Sequence, residues 1–158
     1  CSLHGVEESR DPTSAKSRTG FIIYLAGCAV LWKSMLQTHI SLSTLEAEYS
    51  ALSYALQPFL PLKRLLLELL NSLELDIDIQ ATVRARVFED NQGALLLARD
   101  HRITNRTQYF LVKWHWFWQH QHEFQIMKVD SADQCADYLT KGLARDAFEH
   151  NRLLSQGW

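Results

Sequence analysis

The chain has 158 residues, of which 47% are hydrophobic and 22% charged, and its formal net charge is −2. That profile suits one globular core and excludes a globally basic nucleic-acid binder, while leaving room for a local basic patch. No apolar run reaches the ~18 residues a membrane-spanning helix needs, and Glu7, Glu8, Arg10 and Asp11 break any secretory leader at the start.

The three cysteines, Cys1, Cys28 and Cys135, are odd in number and widely spaced. They fit neither a disulfide framework nor a zinc site, and point to a reducing, intracellular setting. Cys1 stands where a methionine would start a gene, and residues 1–17 are polar without an obvious element. The expectation is a piece of something longer: a polar opening, a domain over 18–143, and a helical tail over 144–158.

Gly20–Leu25 is rich in β-formers and is closed by Ala26-Gly27, after which Ala29–Trp32 resumes the pattern. This predicts a hairpin. His39–Leu42 is expected to add a third short strand, and Ser43 or Thr44 offers a helix cap. The stripe Leu45, Tyr49, Leu52 and Leu56 has helical spacing, which Pro58 and Pro61 are expected to interrupt before a second helical stretch over 62–70. Asn71–Thr82 reads as a loop, Val83–Phe88 as a strand, and Asn91–Ala98 as a short helix. Arg106–Gln121 is a long aromatic helix, and Phe124–Val129 a further strand. Ser131 and Gln134 form a capping-box signature for a helix reaching about Leu143. The order β-β-β-α-β-α-α-β-α predicts an α/β fold with a mixed sheet and helices packed on it.

Three acidic phrases lie at the edges of apolar segments. At about 100° per residue, Glu48 falls beside Ala51 and Ala55 on one flank of its helix, where small neighbours permit close packing. Glu46 falls on the opposite, solvated flank. Both also fit as ordinary first-turn acids favoured by the helix dipole. Asp90 follows a strand and precedes a helix, a common ligand position in α/β folds and equally a plain N-cap. Glu89 alternates to the other strand face and is the weaker candidate. Asp137 is placed one turn inside the last helix, four residues after Asp133, at a position of poor helical propensity. Gathered together, such carboxylates could hold divalent metal, a standard device for cleaving phosphodiesters. His101, His115, His120 and His122 are read as structural or solvated.

The phrases Lys16–Phe21, Leu31–Ser34, Ile40–Tyr49, Glu89–Ala94, Asn105–Thr107 and Ala136–Gly142 together resemble the ribonuclease H domain at the end of copia-type retrotransposon polyproteins. The resemblance runs from about Asp11 to Gly142. It implies a ribonuclease H-like mixed five-stranded sheet flanked by helices, and hydrolysis of the RNA strand of RNA–DNA hybrids. It also implies four acids holding two Mg2+ ions, with Mn2+ as a substitute. By motif, Glu48, Asp90 and Asp137 match the second, third and fourth of these acids.

This sequence departs from the pattern at its start. The family's first acid lies on a first strand that these residues do not include, and Asp11 falls too late to replace it. The resemblance therefore implies an incomplete sheet and weak or absent activity for the chain as it stands. Arg18, Arg102, Arg106 and Lys113 are candidates for phosphate contacts, and Asn91 and Gln92 for ribose or phosphate. Trp114, Trp116, Phe117 and Trp118 are better explained by packing than by base stacking. The implied partners are an RNA–DNA hybrid and the reverse transcriptase domain of the same polyprotein, with no membrane. The implied location is a cytoplasmic virus-like particle or the nucleus. The rival readings are an inactive remnant serving as a tether or binding module, and an integrase- or resolvase-type core, against which Ala136–Lys141 argues.

Overall fold

In the first hairpin, Arg18–Leu25 (β1) pairs antiparallel with Cys28–Leu36 (β2), and Leu25 faces Cys28 across a two-residue loop. Ala26 and Gly27 both carry positive φ, 51° and 83°. That is the turn whose twist suits a tight hairpin. The register slips between Ile23 and Tyr24, a bulge that sharpens the local twist. Thr19, Gly20, Phe21 and Ile23 are buried, whereas Trp32 on β2 is exposed. The computed structural model describes residues 14–41, 43–73, 83–99 and 111–157.

The expected third strand does not form. His39–Ser41 is irregular, and Leu42 lies outside the described residues. Side chains do the connecting instead. The buried Gln37 amide donates to Thr19 Oγ1 at 3.1 Å and to the Ala47 carbonyl at 2.9 Å, while Ser41 Oγ donates to Gln37 Oε1 at 2.8 Å. These bonds fix the hairpin to the helix that follows.

That helix, Thr44–Ser72 (α1), is a single element of 29 residues. Ser43 caps it by accepting from the Glu46 amide at 3.2 Å. Pro58 and Pro61 sit inside it without ending it, so the expected interruption is corrected. Leu56 and Leu60 are 1% and 3% exposed on either side of Pro58. Their packing holds the chain helical where propensity opposes it. Gln57 and Pro61 face solvent, so water can satisfy the carbonyl that Pro61 leaves unpaired.

Arg86–Glu89 (β3) is shorter and later than the expected Val83–Phe88 strand, and it pairs parallel with Gln125–Lys128 (β4). Gln92–Arg99 (α2) and Leu111–His120 (α3) lie between them in sequence, as a parallel connection requires. The core joins α1 to this half through Tyr49, Leu52, Leu56, Leu60, Ala98, Phe117 and Phe124. Phe117 sits 5.1 Å from Tyr49 and 5.4 Å from Phe124 between ring centroids. Trp116 and Trp118 pack against the same cluster, so these aromatics are used by the core. Lys63 and Arg64 hold the far half of α1 to Glu123, at 3.8 and 3.1 Å.

The expected helix over 131–143 is also corrected. Ser131–Asp133 and Asp137–Leu139 are separate single 3₁₀ turns, and the cap position of the first is Asp130, without a side-chain capping bond, not Ser131. The tail does form a helix, Arg145–Gln156 (α4), which ends at Gly157 with φ 78°. It packs on the second turn through Phe148 against Tyr138, centroids 5.8 Å apart, and Ser155 Oγ donates to Tyr138 Oη at 3.1 Å.

The result is a mixed α/β architecture compatible with a ribonuclease H-like arrangement. Among the described residues it has two separate two-stranded sheets, not one of five strands. Between them lies a trough of about 470 Å³. Consecutive residues of β1 (Gly20–Tyr24) and of the β3 strand and its approach (Arg84–Glu89) line it. Side chains alternate across a strand, so unbroken runs mean that the trough follows the strands' edges. Ala51, Leu52, Ala55, Leu56 and Phe59 of α1 line it as well, and Val129 and the segment 133–136 complete it. No helix among the described residues is long and apolar enough to cross a membrane.

Candidate functional site

The four acids that matter reach one region from three different elements. Glu48 comes from the first turns of α1, where it is fully buried. Glu89 and Asp90 come from the end of β3, and Asp137 from the second 3₁₀ turn. All are within a tenth of full burial. Burial pushes the Glu48 carboxyl up to about 9, and the charges of Glu89, Asp90 and Asp137 add to the effect. Glu89 is also raised, first by burial and then by Asp90 and Asp137, while the Asn91 amide works the other way. Carboxylates that perturb one another lie close enough to share a field.

Asp90 is the most telling of the four. Both its carboxylate oxygens are buried, with no hydrogen-bond partner among the described residues. The plain N-cap role falls to its neighbour: Asn91 Oδ1 accepts from the Ala94 amide at 3.0 Å, and Glu89 Oε1 accepts from the Asn91 amide at 3.0 Å. A buried carboxylate without donors is costly, unless a cation completes it.

Asp137 is held differently. Lys141 Nζ lies 2.7 Å from Asp137 Oδ2, with the two side chains 13% and 5% exposed. Bonds of the i→i+3 type run from Asp137 N to Gln134 O and from Thr140 N to Asp137 O, each 3.0 Å. The turn is locked onto the hairpin. Ser34 Oγ of β2 donates to the Leu139 carbonyl at 2.6 Å, and a Cβ on Gly20 would sit 2.6 Å from Thr140 Cγ2 and 2.9 Å from Leu139 Cβ. The Lys141 amide also reaches the Asp137 carbonyl at 3.1 Å, so the segment closes tightly after a single turn against β1. Gly20→Ala is expected to lose about 1–3 kcal/mol of stability by overpacking, read as a lower urea midpoint. An unchanged midpoint would show that the turn slides freely over β1.

Among the described residues, no three His, Cys, Asp or Glu side chains stand close enough together to hold one metal ion. The donor chemistry nonetheless fits a hard divalent cation, which takes carboxylate oxygens. The bare Asp90 carboxylate is the clearest sign of that fit.

The remaining sequence candidates are scattered. Arg18 is half-buried and donates to Ser34 Oγ at 3.3 Å, next to the Asp137 turn. Gln92 is exposed at the start of α2. Arg102 and Arg106 lie outside the described residues, as does the side chain of Lys113 on α3. Glu46 is not solvated as expected: its side chain is 12% exposed and lies 4.0 Å from His39 Nε2. Asp133 is on the surface, 3.5 Å from His150 Nε2, and shares no helix face with Asp137. His120 Nδ1 lies 2.8 Å from the Trp116 carbonyl.

Sequence reasoning undervalues two residues. Alternation puts Glu89 on the weaker strand face, yet it is only 4% exposed. Lys141 carries a usable signal, since it stands four positions after Asp137 in the same phrase.

No family model matches the chain, and no solved structure matches it. Curated relatives do. It is 32% identical over 141 residues to the retrovirus-related Pol polyprotein from transposon TNT 1-94 of Nicotiana tabacum, covering 88% of this chain and 10% of the relative. Against the retrovirus-related Pol polyproteins from transposons RE1 and RE2 of Arabidopsis thaliana, identity is 27% and 28% over 155 residues, 94% of this chain in each case. The chain spans about 10% of the length of these relatives. Across nearly all of its residues, then, this chain is homologous to one stretch of the retrovirus-related Pol polyproteins of transposons.

Proposed function

We propose that this stretch is the ribonuclease H region of such a polyprotein, directed at the RNA strand of an RNA–DNA hybrid. The observation that carries the reading is the buried carboxylate of Asp90, without a hydrogen-bond partner among the described residues and set among Glu48, Glu89 and Asp137 in a common field. Glu48, Asp90 and Asp137 are the residues that would hold Mg2+, or Mn2+ in its place. Metal bound there would supply an acidified water and positive charge for the leaving oxygen.

The chain's own groups define the rest. The Asn91 cap orients the Asp90 backbone, the Gly20 contact seats the Asp137 turn, and burial of Glu48 keeps its carboxyl away from bulk water. Arg18 stands near enough to the Asp137 turn to meet a phosphate of the hybrid backbone. Asn91, Gln92, Arg102, Arg106 and Lys113 complete the proposed contact set, and the reverse transcriptase of the same polyprotein is the proposed neighbour. This reading places the protein inside cells, in a virus-like particle or the nucleus.

A second reading, an inactive folded remnant, is favoured by two observations. Among the described residues, no three acids are gathered closely enough for one ion, and the trough between β1 and β3 leaves both strand edges open. The test is Mg2+-dependent cleavage of a labelled RNA–DNA hybrid. Residues 1–158 alone are expected to cleave little, and the same chain with an Asp-bearing β-strand fused ahead of Cys1 is expected to cleave well. Full activity without the added strand would overturn the account of the missing acid. No activity with it would favour the remnant.

A further inference from the structure

The Lys141–Asp137 contact has a second role that follows from where it lies. An ammonium 2.7 Å from Asp137 Oδ2 uses the same lone pairs a divalent cation would need. The pair is almost completely withdrawn from water, so the bond is charge-assisted and little screened. It cannot relax by moving the aspartate, because Gly20 and Ser34 pin the turn from the hairpin side. The lysine is the movable partner: its stem has four carbons and its charge is a compact point.

We propose that Lys141 is a resident counter-ion that competes with divalent metal for Asp137. Resting on the metal reading above, the assignment makes Lys141 a positioning residue, not a catalytic one. Without metal it offsets part of the negative charge gathered by Glu48, Glu89, Asp90 and Asp137, and so holds the acid-rich region folded. With metal it must leave Asp137, so it raises the metal concentration at which the site fills.

The experiment is direct Mn2+ binding to the 158-residue chain by calorimetry and electron spin resonance. The variants are Lys141→Met, Lys141→Gln and Lys141→Arg, each with thermal unfolding measured with and without metal. Lys141→Met and Lys141→Gln are expected to bind Mn2+ about tenfold more tightly, since a fixed like charge is gone. Both should unfold at lower temperature without metal and regain the loss when Mn2+ is added. Lys141→Arg should stay near the parent in both respects. Equal or weaker binding in the neutral variants overturns the inference while leaving the metal reading intact. Absence of Mn2+ binding in the parent and every variant overturns both. If Lys141→Met does not fold without metal, recovery of its fold on Mn2+ titration supports the proposal and failure to recover counts against it.

Discussion

With an Asp-bearing strand fused ahead of Cys1, changing Asp90 to Asn is expected to reduce hybrid cleavage by about 10²–10³-fold, a loss of several kcal/mol in the barrier. The amide keeps the shape of the side chain and removes its charge. The parent's two buried oxygens have no hydrogen-bond donor among the described residues, so folding gives up nothing there when the charge goes. A neutral group at that position should even stabilise the metal-free protein. Activity and stability therefore move in opposite directions, which separates a ligand from a merely structural acid. Glu48→Gln and Asp137→Asn should lose activity to a similar degree. Asp137→Asn differs in one respect: it breaks the bond to Lys141 and should also lower stability. Retained cleavage in any of the three removes that residue from the site.

The second large effect is on pH dependence. Glu48 has its folded-state carboxyl raised from 4.5 to about 9. Between those values the folded protein holds a proton that the unfolded chain has released. Its contribution to stability is therefore complete below about pH 4.5 and is lost as pH rises through about 9. The size is of the order of a few kcal/mol, because a tenfold change in proton affinity is worth about 1.4 kcal/mol. Glu89, raised in the same direction, adds to the slope. The measurement is the urea midpoint of parent and Glu48→Gln from about pH 5 to 9 in chelator, the window between the two values. The parent should weaken toward alkaline pH relative to the variant, and Mg2+ should shrink the difference by favouring the charged form. A difference that stays flat, or that favours the parent at high pH, would show that Glu48 is ionised and compensated without metal.

Much of this is legible from short-range pattern. The β-forming run closed by Ala26-Gly27 announces the hairpin, because turn chemistry is local. The Leu45, Tyr49, Leu52 and Leu56 stripe gives the orientation of α1, and with it the inward flank of Glu48. What fails does so where distant parts of the chain decide. Ser131 and Gln134 look like a helix start, but the shape of that segment is set by Gly20 and by Ser34, whose bond to Leu139 spans 105 positions. Pro58 and Pro61 look like a break, but Leu56 and Leu60 are driven into the core on both sides of Pro58. Glu89 is misjudged because strict alternation implies one wet face. The end of β3 instead has a buried acid, Glu89, followed at once by another, Asp90. Arg102 and Arg106 fall outside the described residues, so their assignment rests on sequence alone.

The acids are mounted on different parts of the framework. Asp137 rides with the β1–β2 hairpin through Gly20 and Ser34, whereas Glu89 and Asp90 ride with the β3–β4 pair. The bite between these two mounts is thus set by how the hairpin sits against the β3–β4 pair. Any polypeptide that knits the two ladders into one sheet would set that bite, so closure of the scaffold and tuning of the carboxylates become a single mechanical coordinate.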